Sequence, residues 1–134
     1  MLDSLNLGCE SIRSLEAGIA VDSSELAHRL VVRAGERNAS AITLLDLRGL
    51  TTIADYFVVC TATSTVQMRA VVDDLALKLA RELRLHARAE GRPDDGWMVV
   101  DFRDVLVHVF LPEKRDYYRL EEFWSDAPAL VQMA

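Results

Sequence analysis

Cysteine is nearly absent from this chain of 134 residues, which holds only Cys9 and Cys60. Their separation fits neither a metal-ligand spacing nor a paired disulfide framework. Cys60 lies inside an apolar run and reads as a small buried hydrophobe. Three prolines and six glycines exclude collagen-like and low-complexity chains. No apolar run approaches the roughly 18 residues of a membrane span, so no membrane partner is expected. The start of the chain lacks a basic stretch followed by an apolar block, so no secretion signal is expected and the compartment is read as cytoplasmic. Glycine-rich phosphate loops (GxxxxGK[ST], GxGxxG) and the GxSxG nucleophile elbow are also missing. What remains, 51% hydrophobic and 27% charged residues, is the composition of one domain able to bury its own core without disulfide or metal staples.

Positive charge is short as well: 15 basic residues stand against 21 acidic ones, a net charge of −6. From Glu90 to Asp126 ten acids face five bases, so most of the imbalance lies in the C-terminal third. Nucleic-acid binders need a basic face to neutralise phosphates. This distribution argues against direct nucleic-acid binding by that third and for a basic protein partner. Alternatively, the acidity only keeps the protein soluble.

The pattern of residues divides the chain into an N-terminal extension (1–21) without a clear period, a domain over 22–126, and a C-terminal tail (127–134). Asp22 with Glu25 forms a capping box, and Leu26, Ala27, Leu30, Val31 and Ala34 recur at helical spacing, predicting a helix over 23–37. Asn38 tolerates the left-handed turn that would end it. Residues 41–47 and 54–61 read as strands. The second is apolar on both faces and so belongs inside a sheet covered on both sides. Ser64 with Gln67 makes a second capping box before the longest helix (65–84). Residues 85–90 read as a short strand, 97–102 and 105–111 as a hairpin pair joined at Arg103–Asp104. Pro112 opens a last helix, with Tyr117, Leu120, Phe123 and Trp124 on one face until Pro128. The fold class is α/β, a mixed β-sheet of about five strands flanked by helices.

Chemistry is sparse. His28, His86 and His108 fall on a helix, a loop and a strand, without carboxylates or cysteines at ligand spacing, so no metal and no cofactor are expected. His108 alternates with Val107 and Val109 and reads as a half-buried strand residue with its hydrogen bonds met. Of the adjacent acids Asp73 and Asp74, at least one reads as a solvated surface charge. Asp101 and Asp104 flank the hairpin; such strand-end acids can hold magnesium for nucleotidyl transfer, although they lack the D-x-D spacing that would put both on one strand face. On the strand from Trp97, Met98, Val100 and Phe102 form a core face, and Trp97, Val99 and Asp101 the other. Trp97 beside acids is either an interface anchor or a ring packed under the last helix.

Three ordered blocks then acquire a meaning together. Ala54-Asp55-Tyr56-Phe57-Val58-Val59, continuing to Ser64 and Gln67, is the first. Glu90-Gly91, Trp97-Met98-Val99-Val100-Asp101 and Asp104 through Phe110 form the second. Arg115, Tyr118, Leu120-Glu121 and Trp124 are the third. Across residues 22–126 they resemble the ribosomal silencing factor family, also called Iojap-like. The resemblance implies a nucleotidyltransferase-like α/β fold without catalytic activity. It implies a translational repressor that binds ribosomal protein L-fourteen on the large ribosomal subunit and blocks joining of the small subunit when nutrients are short. Some members act in large-subunit assembly, and several are homodimers when free. Carried onto this chain, the partner-facing residues are Glu90, Gly91, Trp97, Asp101 and Asp104, with His108 and Tyr118. Where the family has glycine in Asp-x-Gly-Asp this chain has Arg103, a cation that would change the hairpin and add a ribosomal RNA contact. Ala62 also replaces a usual glycine and implies an ordinary backbone there.

Overall fold

The computed structural model describes residues 21–133. The extension read over 1–21 lies outside the described residues except for Val21, which packs against the core. Helix α1 (Ser23–Glu36) starts where Asp22 accepts a hydrogen bond from the Glu25 amide at 2.8 Å. Glu25 does not close the capping box: its carboxylate takes Arg29 instead. After α1 the chain reverses through Asn38 at φ 69°, as its tolerance of that region predicts.

Strands β1 (Ser40–Asp46) and β2 (Tyr56–Thr61) pair antiparallel, and every residue of β2 is buried. Helix α2 (Thr65–Asp73) is capped by Ser64, which accepts from the Gln67 amide at 3.0 Å. It runs directly into a π-helical stretch (Asp74–Leu79) and a last turn (Ala80–Glu82). The wider turn coincides with Asp74, a buried carboxylate held by Arg33 at 2.7 Å and Arg37 at 3.0 Å. Asp73 beside it is exposed, so the adjacent acids divide as read. Burial alone would raise the Asp74 carboxyl, but the two guanidinium groups hold it below the ordinary carboxylate value.

Strands β3 (Arg88–Arg92), β4 (Trp97–Asp101) and β5 (Val105–Phe110) follow, then short helices α3 (Pro112–Tyr118) and α4 (Leu120–Phe123), then β6 (Ala129–Met133). The sheet has six strands in the order β3-β4-β5-β2-β1-β6, with β2 and β5 parallel and the other pairs antiparallel. Two expectations need correction. The segment after residue 126 is not a tail: Asp46 donates its amide to the Pro128 carbonyl at 2.9 Å and β6 then pairs along β1. The last helix is two helices, because Arg119 adopts φ 50° and breaks it.

Alternation along the strands gives the sheet two unlike faces. Tyr56, Val58 and Cys60 from β2, Met98 and Val100 from β4, and Val105, Val107 and Val109 from β5 join α1 and α2 in the main core. There burial pushes the Cys60 thiol up to about 12, which leaves it inert. The other face carries a smaller cluster around Leu45, Phe57, Val59 and Phe110. Helices α3 and α4 lie over it without a single buried residue of their own. Among the described residues no helix is long and apolar enough to cross a membrane.

Candidate functional site

The half-covered face is where the expected site residues meet. Trp97 pairs across the ladder with Phe110 on one side and Arg92 on the other; Val99 pairs with His108 and Glu90; Asp101 pairs with Leu106 and Arg88. Directly paired residues point to the same side of a sheet, so Glu90, Trp97, Asp101 and His108 share this face. Tyr118, at the end of α3, lays its ring 4.7 Å from the Trp97 centroid. Two residues do not join them. Gly91 pairs with Met98, on the opposite register. Asp104 lies in the hairpin, where its carbonyl accepts from the Asp55 and Tyr56 amides at 2.7 and 3.2 Å.

Gly91 has a backbone task. Its φ is +94°, and a Cβ there would come within 2.7 Å of the Trp97 carbonyl oxygen. No other residue type fits both the left-handed conformation and that approach. Glycine here is required by the β3–β4 ladder next to the indole.

Trp97 is neither fully exposed nor sealed under the last helix. It is half-buried, stacked on Phe110 at 5.0 Å, and its Nε1 donates to His108 Nδ1 at 3.2 Å. An indole N–H only donates, so His108 Nδ1 must be the acceptor and the proton of the neutral ring sits on Nε2. Among the described residues that Nε2 is buried without a hydrogen-bond partner. The expectation of a half-buried, satisfied histidine is therefore corrected: the ring is buried and only one nitrogen is met. Packed against Phe57 (4.5 Å) and Phe110 (6.4 Å), it finds no charge to stabilise a proton, and burial lowers its pKa to about 4.

Around this buried pair the face becomes open. Tyr117, Tyr118 and Phe123 are exposed large apolar groups, and Trp124 packs its edge against Phe57 at 5.8 Å. The charges are more locally neutralised than the sequence suggests. Glu90 binds Arg88 at 2.8 Å, Glu121 binds Arg115, and Glu122 lies 3.7 Å from Arg119. The Asp101 carboxylate accepts from the Arg103 amide at 2.7 Å, holding Arg103 at φ 77°. Asp101 is thus engaged by the turn itself, which gives the nucleotidyl-transfer alternative little support. Among the described residues no three His, Cys, Asp or Glu side chains gather to hold a metal ion. Ala62 is absent from the residues with positive φ, as expected.

The role of Arg115 and of the exposed Phe123 was not legible from the sequence. In the sequence Arg115 is only the first letter of the third block, and the helix break at Arg119 leaves Phe123 exposed while Leu120 and Trp124 pack on the sheet.

The described residues form an α/β domain whose central strands are covered by α1 and α2 on one face and left half-open on the other, with an oriented indole among exposed rings. A family model described as ribosomal silencing factor during starvation matches residues 20–133. A ribosomal silencing factor RsfS from Halalkalibacterium halodurans is 34% identical over 111 residues, covering 82% of this chain and 94% of that one. A Mus musculus relative, mitochondrial assembly of ribosomal large subunit protein 1, is 33% identical over 94 residues, 67% of this chain and 41% of its own. A crystal structure of a Chromobacterium violaceum protein superposes with a TM-score of 0.74 at 29% identity, covering 78% of this chain and 88% of that one. The chain belongs to the ribosomal silencing factor family.

Proposed function

We propose that this protein is a ribosome-associated translational repressor that acts in the cytoplasm without catalysis. The Trp97 face docks on ribosomal protein L-fourteen of the large subunit, and the bulk of the domain blocks joining of the small subunit under nutrient limitation. The supporting observation is the indole held half-open by His108 and Tyr118, in a chain of this family. Tryptophan so placed has the properties of an interface anchor: large area, little rotamer freedom to lose, and surroundings that exclude water. Acids on the same face orient a basic partner and raise the association rate. Arg103 at the hairpin is the proposed peripheral contact to ribosomal RNA. In the free protein the same face pairs two copies as a homodimer, so docking and self-association compete.

The test is retention on purified large subunits. Wild type should be retained and should lower the yield of joined ribosomes when small subunits are added; Trp97→Ala should lose at least tenfold in affinity. Equal retention of both removes Trp97 as anchor, and no retention of wild type removes the reading.

Large-subunit assembly is the second reading, favoured by the name of the mouse relative. Sedimentation of a deletion strain separates them: assembly predicts accumulated precursor particles, repression only a shift from free subunits to joined ribosomes in starvation.

A further inference from the structure

We infer that Arg115 is the positioning residue of the docking face, the clamp that sets Tyr118 and Trp124 over the sheet; the inference rests on the reading of that face given above. Helices α3 and α4 contain no fully buried residue; Leu120 alone of their apolar side chains packs, partly buried, against the smaller cluster, while Tyr117, Tyr118 and Phe123 are exposed, so apolar burial fixes their orientation only weakly. What ties them down is a guanidinium, largely buried at 12% exposure. Its Nη1 donates to the Ala41 carbonyl at 2.6 Å and to Thr61 Oγ1 at 2.8 Å, and its Nη2 to Thr43 Oγ1 at 3.4 Å. The remaining side of the fork holds the Glu121 carboxylate at the start of α4.

The sheet is shaped to receive it. Ala41 stands at φ 49° where the β1–β2 register shifts between Ser40 and Thr43. Thr43 and Thr61 are two of the four buried polar or charged residues among the described residues, and both spend their hydroxyls on this one cation. A rigid five-donor fork is needed to bridge three sheet acceptors and a carboxylate at once; lysine cannot do so. Arg115 therefore joins β1, β2 and both helices. Tyr118 lies one helical turn beyond it on α3, and Trp124 follows α4. This accounts for why arginine, tyrosine, glutamate and tryptophan occur together in the third sequence block: the first and third hold the helices so that the second and fourth reach the face.

A positioning role and a merely stabilising one differ in additivity. Affinity for purified large subunits is measured for Arg115→Met, Tyr118→Ala and the double variant, at a temperature where far-UV circular dichroism shows each folded. The expected result is a loss of about tenfold for each single variant, with the double within twofold of the worse single. In the free protein, Arg115→Met should also collapse the near-UV signal of the tilted Trp97–Tyr118 contact. Losses that multiply, wild-type affinity in Arg115→Met, or an unchanged near-UV spectrum overturn the inference. Should Arg115→Met fail to fold, Glu121→Gln takes its place: it weakens one side of the clamp, leaves the sheet contacts, and should show about a threefold loss with the same non-additivity. If wild type itself is not retained, the docking reading fails, and the near-UV comparison still decides whether Arg115 places Tyr118.

Discussion

Acidification isolates the His108–Trp97 pair. The folded imidazole titrates near 4, against 6.5 for an ordinary histidine. At neutral pH both folded and unfolded chains carry the ring uncharged, and it makes no pH-dependent contribution. Between 6.5 and about 4 the unfolded chain takes up a proton that the folded one refuses, so stability falls with pH across that window. The full interval is worth about 3 kcal/mol, of which about 2 kcal/mol is lost by about pH 5. Protonation also makes Nδ1 a donor facing the indole N–H, so the bond that orients Trp97 disappears. Urea midpoints of wild type and His108→Phe, followed from neutral pH to about 4.5, test this. Phenylalanine changes the absolute stability, but the exposed histidines His28 and His86 are common to both proteins and cancel from the difference. The carboxylates with lowered values, Asp46, Asp74 and Glu82, start from 3.8, 3.8 and 4.5 and act mostly below this window. Wild type should lose roughly 2 kcal/mol relative to the variant on going to about pH 5; parallel curves would refute the burial argument.

Gly91→Ala forces a Cβ against the Trp97 carbonyl at a left-handed φ, and should lower stability by about 2 kcal/mol in urea unfolding. Asp74→Asn removes the buried counter-charge of Arg33 and Arg37, but Arg33 keeps Glu82 at 2.9 Å and Arg37 is partly exposed, so the cost should be about 2 kcal/mol, read by thermal or urea unfolding. Because the acids near Trp97 are locally paired, raising salt to about 0.3 M should slow association with the large subunit by less than about tenfold and leave dissociation nearly unchanged; stopped-flow or surface-based kinetics give both rates.

Helices with a local stop or start signal were legible in the sequence. Asp22 and Ser64 mark the two N-termini, Asn38 the first C-terminus, and the uninterrupted apolar run of β2 its place inside the sheet. Elements set by pairing alone were not. Strand β6 is five mostly exposed residues after a proline, with no alternation to read, and it exists because the β1 edge accepts it. The helix break at Arg119 has no glycine to announce it. For the site, parity correctly put Trp97 and Asp101 on one face, and the second block placed Glu90 and His108 beside them. Whether Trp97 was open depended on two short helices whose position follows from Arg115, a contact with residues 54 to 74 positions away. Charge counting was blind to position for a similar reason: ten acids in a segment say nothing of Arg88 beside Glu90, or Arg115 beside Glu121.

On the proposed reading, the two faces of the sheet divide the work of stability and recognition. Helices α1 and α2 bury the central strands on one face and, through Asp74, are held to each other, so most of the core lies on that side. The opposite face is then relieved of the need to be closed, and its covering helices can be short, without buried residues, and pinned by one cation. Such a surface keeps aromatic rings ordered yet incompletely covered, a state that a self-contained core would eliminate and a partner can complete. Orientation of the indole by a neutral, buried histidine serves the same end, since a charged or mobile partner would either hydrate the ring or let it collapse inward.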